Sequence, residues 1–326
     1  MNPVVQGFVA IVLGVGVCLG YLHFANLVLD KVIFPATGPN PSQNINRANR
    51  VRPWLFLFPA IFALGLYLVY PVIGSFWRSL FSRDGSDFVG TGNYAALMAD
   101  EQFRVSLFNN MLWVIVVPAA ATFFGLLAAQ LTHRLRWGNF TKSLIFMPMA
   151  ISFVGASLIW KFVYANDTDI GLINAVREVL GADRPIDVLH IPFWNNFFLM
   201  VILIWIQTGF AMVILSAALR GVPEDTIEAA IIDGATPFEI FFKIKVPQII
   251  GTIVVVWTTI AILVLKVFDI VYATTGSNFG TQILPSDMMS YIFRDDGRAT
   301  AVAFVVMLIL LPVMIWNIPQ ARKEVR

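Results

Sequence analysis

Apolar positions along this chain run together rather than alternating with polar ones. Seven stretches of about 20 residues stand out, approximately 3–24, 54–77, 107–132, 143–164, 196–219, 247–269 and 299–318. Roughly 20 residues rising about 1.5 Å each cross a hydrocarbon layer, so each stretch predicts a membrane-spanning helix. Several carry internal Pro or Gly, as in "VVPAAATFFG" around Pro118. Spanning helices tolerate such residues where neighbours satisfy the freed backbone. The expected fold class is all-α and polytopic.

The first stretch lacks the basic start and small-residue cleavage site of a secretory signal, so a retained helix is expected. The Pro-, Asn- and Gly-rich linker "FPATGPNPSQNINRANR" follows at 34–50. It divides an extra N-terminal helix and linker (1–53) from a six-helix core (54–326). The loops 78–106 and 165–195 are too short to bury a core of their own.

Composition sharpens the class. The chain is 58% hydrophobic and 13% charged, against about 25% charged in soluble domains. The formal net charge of +2 gives no sign of a nucleic-acid partner. Cys18 is the single cysteine, so no intrachain disulfide can form. His23, His133 and His190 lie far apart, and neither a metal site nor a catalytic centre is expected from them. No Gly-x4-Gly-Lys-Ser/Thr phosphate loop occurs, so ATP hydrolysis is not expected on this chain.

Charge sets the expected orientation. The side holding 25–53, 133–142, 220–249 and the C-terminal tail carries 13 of 22 basic residues but only 7 of 20 acids. That side is expected to be cytoplasmic, with the N-terminus outside and the C-terminus inside.

One charged segment interrupts the oily second half: "EAAIIDGATPFEIFFKIKVPQI", 228–249. "VPEDTIEAAIID" reads as a short helix, with Pro223 in its first turn and Glu224 and Asp225 at its positive end. Ile227, Ala230 and Ile231 share one face. Gly234 supplies a left-handed turn, and Pro237 starts a second amphipathic helix. Phe238, Phe241 and Phe242 share a face there, and Glu239 pairs with Lys243. Ala229–Ala230 forms a small-residue patch. Either the segment anchors to lipid or it docks a cytoplasmic partner.

Glu228-Ala229-Ala230, three residues, Gly234, nine residues, Ile244, one residue, Val246, Pro247 resembles the EAA loop of ATP-binding-cassette importer permeases. Val246 stands where that pattern has Leu. "FVGTGNYAALMADEQF", "SLIFMPMAISFVGASLIWKFVY" and "WIQTGFAMVILSAALRGVPEDTIEAAIIDGA" are similar to the maltose-permease family of carbohydrate importers. The likeness is to the F-type subunit of alpha-glucoside importers. It implies that Glu228, Ala229, Ala230, Asp233, Gly234, Ala235, Ile244 and Pro247, in a coupling loop at 220–247, meet an ATPase. It also implies the partners: a second homologous permease, an ATPase dimer holding ATP and Mg, an extracytoplasmic solute-binding protein and a sugar, all at the lipid of a bacterial inner membrane. The implied mechanism is alternating access.

Polar groups in apolar helices face a cavity or a partner helix. Gln207 and Thr208 sit between Trp205 and Phe210, and Thr258 and Thr259 lie in the sixth stretch. The residues alone leave sugar contact and interhelical bonding equally open; the resemblance favours sugar. Lys266 and Asp269, three apart, are expected to pair as a structural or gate element. An importer for another polyol-like solute, such as a glucosylated compatible solute or glycerol phosphate, is the nearest rival. A secondary transporter would need a mid-membrane carboxylate, and none is evident.

Overall fold

A computed structural model describes residues 2–35, 41–132 and 135–324, with side chains described through Val313 and at Ile315. His133, Arg134 and Arg326, counted above among the histidines and basic residues, lie outside the described residues. Contacts group the chain into two units, Met1–Gly74 and Ser75–Arg326.

In the first unit, α1 (Pro3–Val28) starts with the Asn2 side chain accepting from Val4 N–H and ends in a π-helical turn, Leu29–Ile33. Helix α2 (Pro41–Leu64) continues through a second π-helical turn, Gly65–Val69, into α3 (Tyr70–Ser79). Two polar contacts hold α1 to α2. Tyr21 Oη donates to Leu55 O at 3.0 Å. Arg52 Nη2 donates to both Asp30 carboxylate oxygens, at 2.6 and 2.8 Å.

The second unit continues with α4 (Gly92–Ala99), α5 (Glu101–Thr132), α6 (Gly138–Phe146), α7 (Phe153–Val163), α8 (Leu172–Val179) and α9 (Trp194–Arg220). After α10 (Glu224–Ile232) come α11 (Pro237–Gln248), α12 (Ile250–Val264), α13 (Asp269–Thr275), α14 (Leu284–Tyr291) and α15 (Asp296–Glu324). Its core forms where α5 lies along α9, with α12 against both.

Glycines let these helices approach. A Cβ on Gly125 of α5 would collide with Ala211 Cβ and fall 2.9 Å from Met212 N on α9. One on Gly209 of α9 would fall 2.6 Å from Ile145 O on α6. Small residues at helix crossings are the usual device where lipid gives no hydrophobic driving force between helices.

Among the described residues, five helices are long and apolar enough to cross a membrane, and up to seven if each of two bent pairs is one span. The two bends correct the expected continuous helices. The stretch 143–164 turns by 104° between Ala150 and Phe153. Pro148 sits in a 3-10 turn, Met147–Ala150, and Ser152 takes an extended conformation (ψ 151°) to cap α7 through Gly155 N–H at 3.1 Å. The stretch 247–269 is broken twice. A 70° bend falls between Gln248 and Ile250, so Pro247 closes α11 instead of opening the span. Helix α12 then stops at Val264, and α13 starts at Asp269.

Candidate functional site

The charged segment is a helical hairpin, and its turn explains the spacing of its motif. Helix α10 is followed by Asp233 and then Gly234 at φ +81°. Gly234 N–H donates to Ile231 O at 3.0 Å, and Ala235 N–H to Ala230 O at 3.0 Å. These are the paired bonds of a Schellman cap, which closes a helix through a left-handed residue. The second alanine is thus the carbonyl four residues before the glycine that the cap requires.

The next helix begins one residue later. Thr236 Oγ1 accepts from Glu239 N–H at 3.3 Å, and Glu239 Oε2 accepts from Thr236 N–H at 3.1 Å. This is a capping box, with Pro237 in the first turn. Lys243 Nζ donates to Glu239 Oε1 at 2.8 Å. Thr236 was not singled out in the sequence, although Thr-x-x-Glu signals such a cap.

Glu228, Ala229 and Asp233 are exposed, and so are Ile231, Ile232, Phe238, Phe242 and Pro247. Ala230 and Ile240 are buried, and Ala235 and Ile244 are half-buried. Two expectations change here. Ala230 faces inward, so only Ala229 of the alanine pair is open to a partner. Ile231 does not share the inner face with Ile227 and Ala230. Phe238 and Phe242 meet at 4.4 Å with their rings tilted by 46° on the outside, while Phe241 packs against the core. Phe241 also meets Phe242 edge-on at 4.9 Å, within the π-helical turn Ile240–Lys245.

The expected solute path is less gathered. At about 100° per residue, Trp205 and Thr208 lie on one side of α9, and Gln207 and Phe210 lie nearly opposite. Trp205 meets Trp160 of α7 edge-on at 5.7 Å. Thr208 Oγ1 donates to Ile204 O at 2.7 Å. Gln207 is 4% exposed. Thr258 is buried and bonds Val254 O and Val255 O; Thr259 is exposed and bonds Val255 O. Both hydroxyls donate to their own helix.

Lys266 and Asp269 do not pair. Both are exposed, and no ion pair joins them among the described residues. The chain leaves the helix at Val264, so the three-residue spacing does not put them on one helical face.

At the end of α9 away from the hairpin lies a polar cluster missed in the sequence. Asn109 Nδ2 donates to Gly280 O and Gln282 O, both at 2.8 Å. Asn110 Oδ1 accepts from Leu284 N–H at 2.6 Å. Asn195 Nδ2 donates to Phe279 O at 2.7 Å, and Asn196 Nδ2 to Gly280 O at 3.2 Å. Two Asn-Asn doublets, on α5 and α9, clip the same 279–284 segment. The repeated doublet was the available signal. Among the described residues no group of three or more His, Cys, Asp or Glu gathers to hold a metal.

Residues 121–318 match the family described as binding-protein-dependent transport system inner membrane component. Over 99% of its length the chain is 58% identical to the alpha-glucoside transport system permease AglF of Rhizobium meliloti (strain 1021), covering 99% of that protein. It is 45% identical to the osmoprotective compounds uptake permease GgtC of a Synechocystis strain, over 83% of this chain and 99% of that one. The fold is similar to that of a chain in a bacterial ABC transporter involved in import of the acidic polysaccharide alginate. The TM-score there is 0.72, at 20% identity, covering 87% of this chain and 99% of that one. An inner-membrane transport component of this kind is not itself catalytic; ATP is handled by a partner ATPase. A chain matched along its length by such permeases belongs to the binding-protein-dependent transport system inner membrane component family.

Proposed function

We propose that this permease carries an alpha-glucoside, moved by alternating access. The observation that carries the substrate is the 58% identity to an alpha-glucoside permease along 99% of both chains. It works with a second homologous permease, two ATPase subunits that bind Mg-ATP, and an external binding protein. The hairpin 220–247 is its coupling element. Glu228, Ala229, Asp233, Phe238 and Phe242 are open to an ATPase cleft, and Ala230, Gly234, Ala235, Ile244 and Pro247 shape the hairpin. The residues 54–326 form the working core, with the hairpin on the cytoplasmic side and the N-terminus outside. Gln207 and Phe210 contact the solute, while Trp205, on the other side of α9, packs against Trp160 of α7 and Thr208 bonds its own helix. Gln207 supports this, as a buried polar side chain inside an apolar helix. Thr258 and Thr259 line the same path from α12.

The 45% identity to an osmoprotectant permease supports a second reading, a glucosylated compatible solute. Competition separates the two. In proteoliposomes holding the whole complex, maltose uptake should be suppressed by other alpha-glucosides more than by glucosylglycerol. The reverse order would assign the chain to osmoprotectant import.

A further inference from the structure

A cavity of about 630 Å³ beside Arg83 and Asp296, and a smaller one among Arg47 and Arg50, are open surface hollows. A third, of about 320 Å³, is different. It lies at the end of α9 away from the hairpin, lined by Lys161, Tyr164, Asn166, Asp187, His190 and Phe279. Asp187 Oδ2 meets His190 Nδ1 at 2.7 Å. Lys161 and Asn166 are exposed, and their side chains have no partner among the described residues. The His190 and Phe279 rings meet at 3.9 Å at the mouth.

Phe279 stands there at φ +58°. A bulky aromatic residue in the left-handed region is an outlier. Such strain persists only where surrounding structure over-determines it, and it clusters at functional positions. Here Asn195 holds the Phe279 carbonyl, and Asn109 and Asn196 hold the next one, that of Gly280. The clip thus fixes one aromatic ring against His190.

We propose that this cavity is a subsite for a single sugar ring, entered before the membrane path. The proposal rests on the carbohydrate reading above. Its volume is at the small end of ligand pockets, roughly 300–1,000 Å³, which suits one ring rather than an oligosaccharide. Phe279 offers an apolar contact for the ring, with the His190 imidazole set edge-on to it at 72°. Lys161 and Asn166 donate to hydroxyls, and Asp187 accepts. One cation, one carboxylate and an amide match a neutral polyhydroxyl ring; a phosphate would call for an arginine fork. Tyr164 in the wall lies 5.2 Å from Trp160, which in turn lies 5.7 Å from Trp205. An aromatic ladder thus runs from the cavity wall to α9.

Phe279→Gly separates a binding role from a structural one, because glycine accepts this φ freely. The complex is reconstituted with its ATPases, and maltose uptake is measured against maltose-loaded binding protein. Half-saturation should rise about fivefold in both Phe279→Gly and Phe279→Ala, the scale of one aromatic contact. The maximal rate should hold, and Phe279→Gly should melt no lower than the parent. In parent complex without binding protein, maltose should change Trp160 fluorescence saturably. That signal should vanish in Phe279→Ala and in Trp160→Phe. Unchanged half-saturation in Phe279→Gly, with normal parent uptake, overturns the subsite alone. A parent complex that takes up no alpha-glucoside overturns the carbohydrate reading and the subsite together.

Discussion

Ala235 N–H donates to Ala230 O at 3.0 Å, reaching back across Gly234, whose φ is +81°. No atom lies within 4 Å of where a Gly234 side chain would begin. Conformation, not crowding within the chain, therefore demands glycine. Gly234→Ala is expected to strain the turn by about 1–2 kcal/mol. Gly234→Asn should be milder, since Asn tolerates the left-handed region. Gly234→Asp should leave the membrane helices folded and abolish substrate-stimulated ATP hydrolysis and uptake. Normal stimulated hydrolysis in Gly234→Asp would return the hairpin to a lipid anchor.

Thr236 starts α11, so Thr236→Ala should lower the stability of that helix by about 1 kcal/mol. Hydrogen exchange across 237–248 should speed up severalfold, with exchange in α5 and α9 unchanged. Equal protection in both proteins would show that the box contributes nothing. Glu228→Lys, by contrast, touches only the exposed side of α10. It should weaken ATPase retention in a salt-sensitive way, read by co-purification at two ionic strengths.

Replacing Asn109 by Leu should orphan the Gln282 carbonyl and remove one of two bonds to Gly280 O, both bonds of Asn109 being 2.8 Å long. An unsatisfied buried polar group costs about 1–3 kcal/mol. Asn196 still reaches Gly280, so Asn109→Leu with Asn196→Leu should cost more than the sum of the single changes. Melting of the purified complex is the measurement, and simple additivity would deny that the doublets act as one clip.

Asp287 is 1% exposed in α14, and its Oδ1 accepts from Gln102 Nε2 at 3.2 Å. Burial pushes its pKa up from 3.8 to about 6; Asp100 adds to this, and the hydrogen bond from Gln102 opposes it. The folded state therefore disfavours the ionised form. The penalty is absent below about pH 4, grows between about pH 4 and 6, and is complete above that. Asp287→Asn should remove this fall in melting temperature over that window. Parallel pH profiles for parent and variant would contradict it.

What could be read in advance depended on range. Seven apolar runs are visible because each needs only its own 20 residues. The turn at Gly234 was legible too, since a helix cap is local chemistry. The breaks at Ile151 and Ile249 were hidden, because their flanks stay apolar and hydropathy does not record direction. The supposed Lys266–Asp269 pair failed for the same reason: periodicity was carried past Val264, where the helix had ended. The Asn109–Gly280 bond joins residues 171 apart. A single sequence does not show which loop returns to which helix.

The 104° turn between α6 and α7 brings a helix start into the interior of an otherwise oily segment. A helix start leaves four backbone donors open, and Ser152 Oγ covers one of them, at Gly155. Lipid can satisfy none of the others. That elbow therefore draws on protein or water partners in the middle of the segment, whereas the helical flanks satisfy their own backbone.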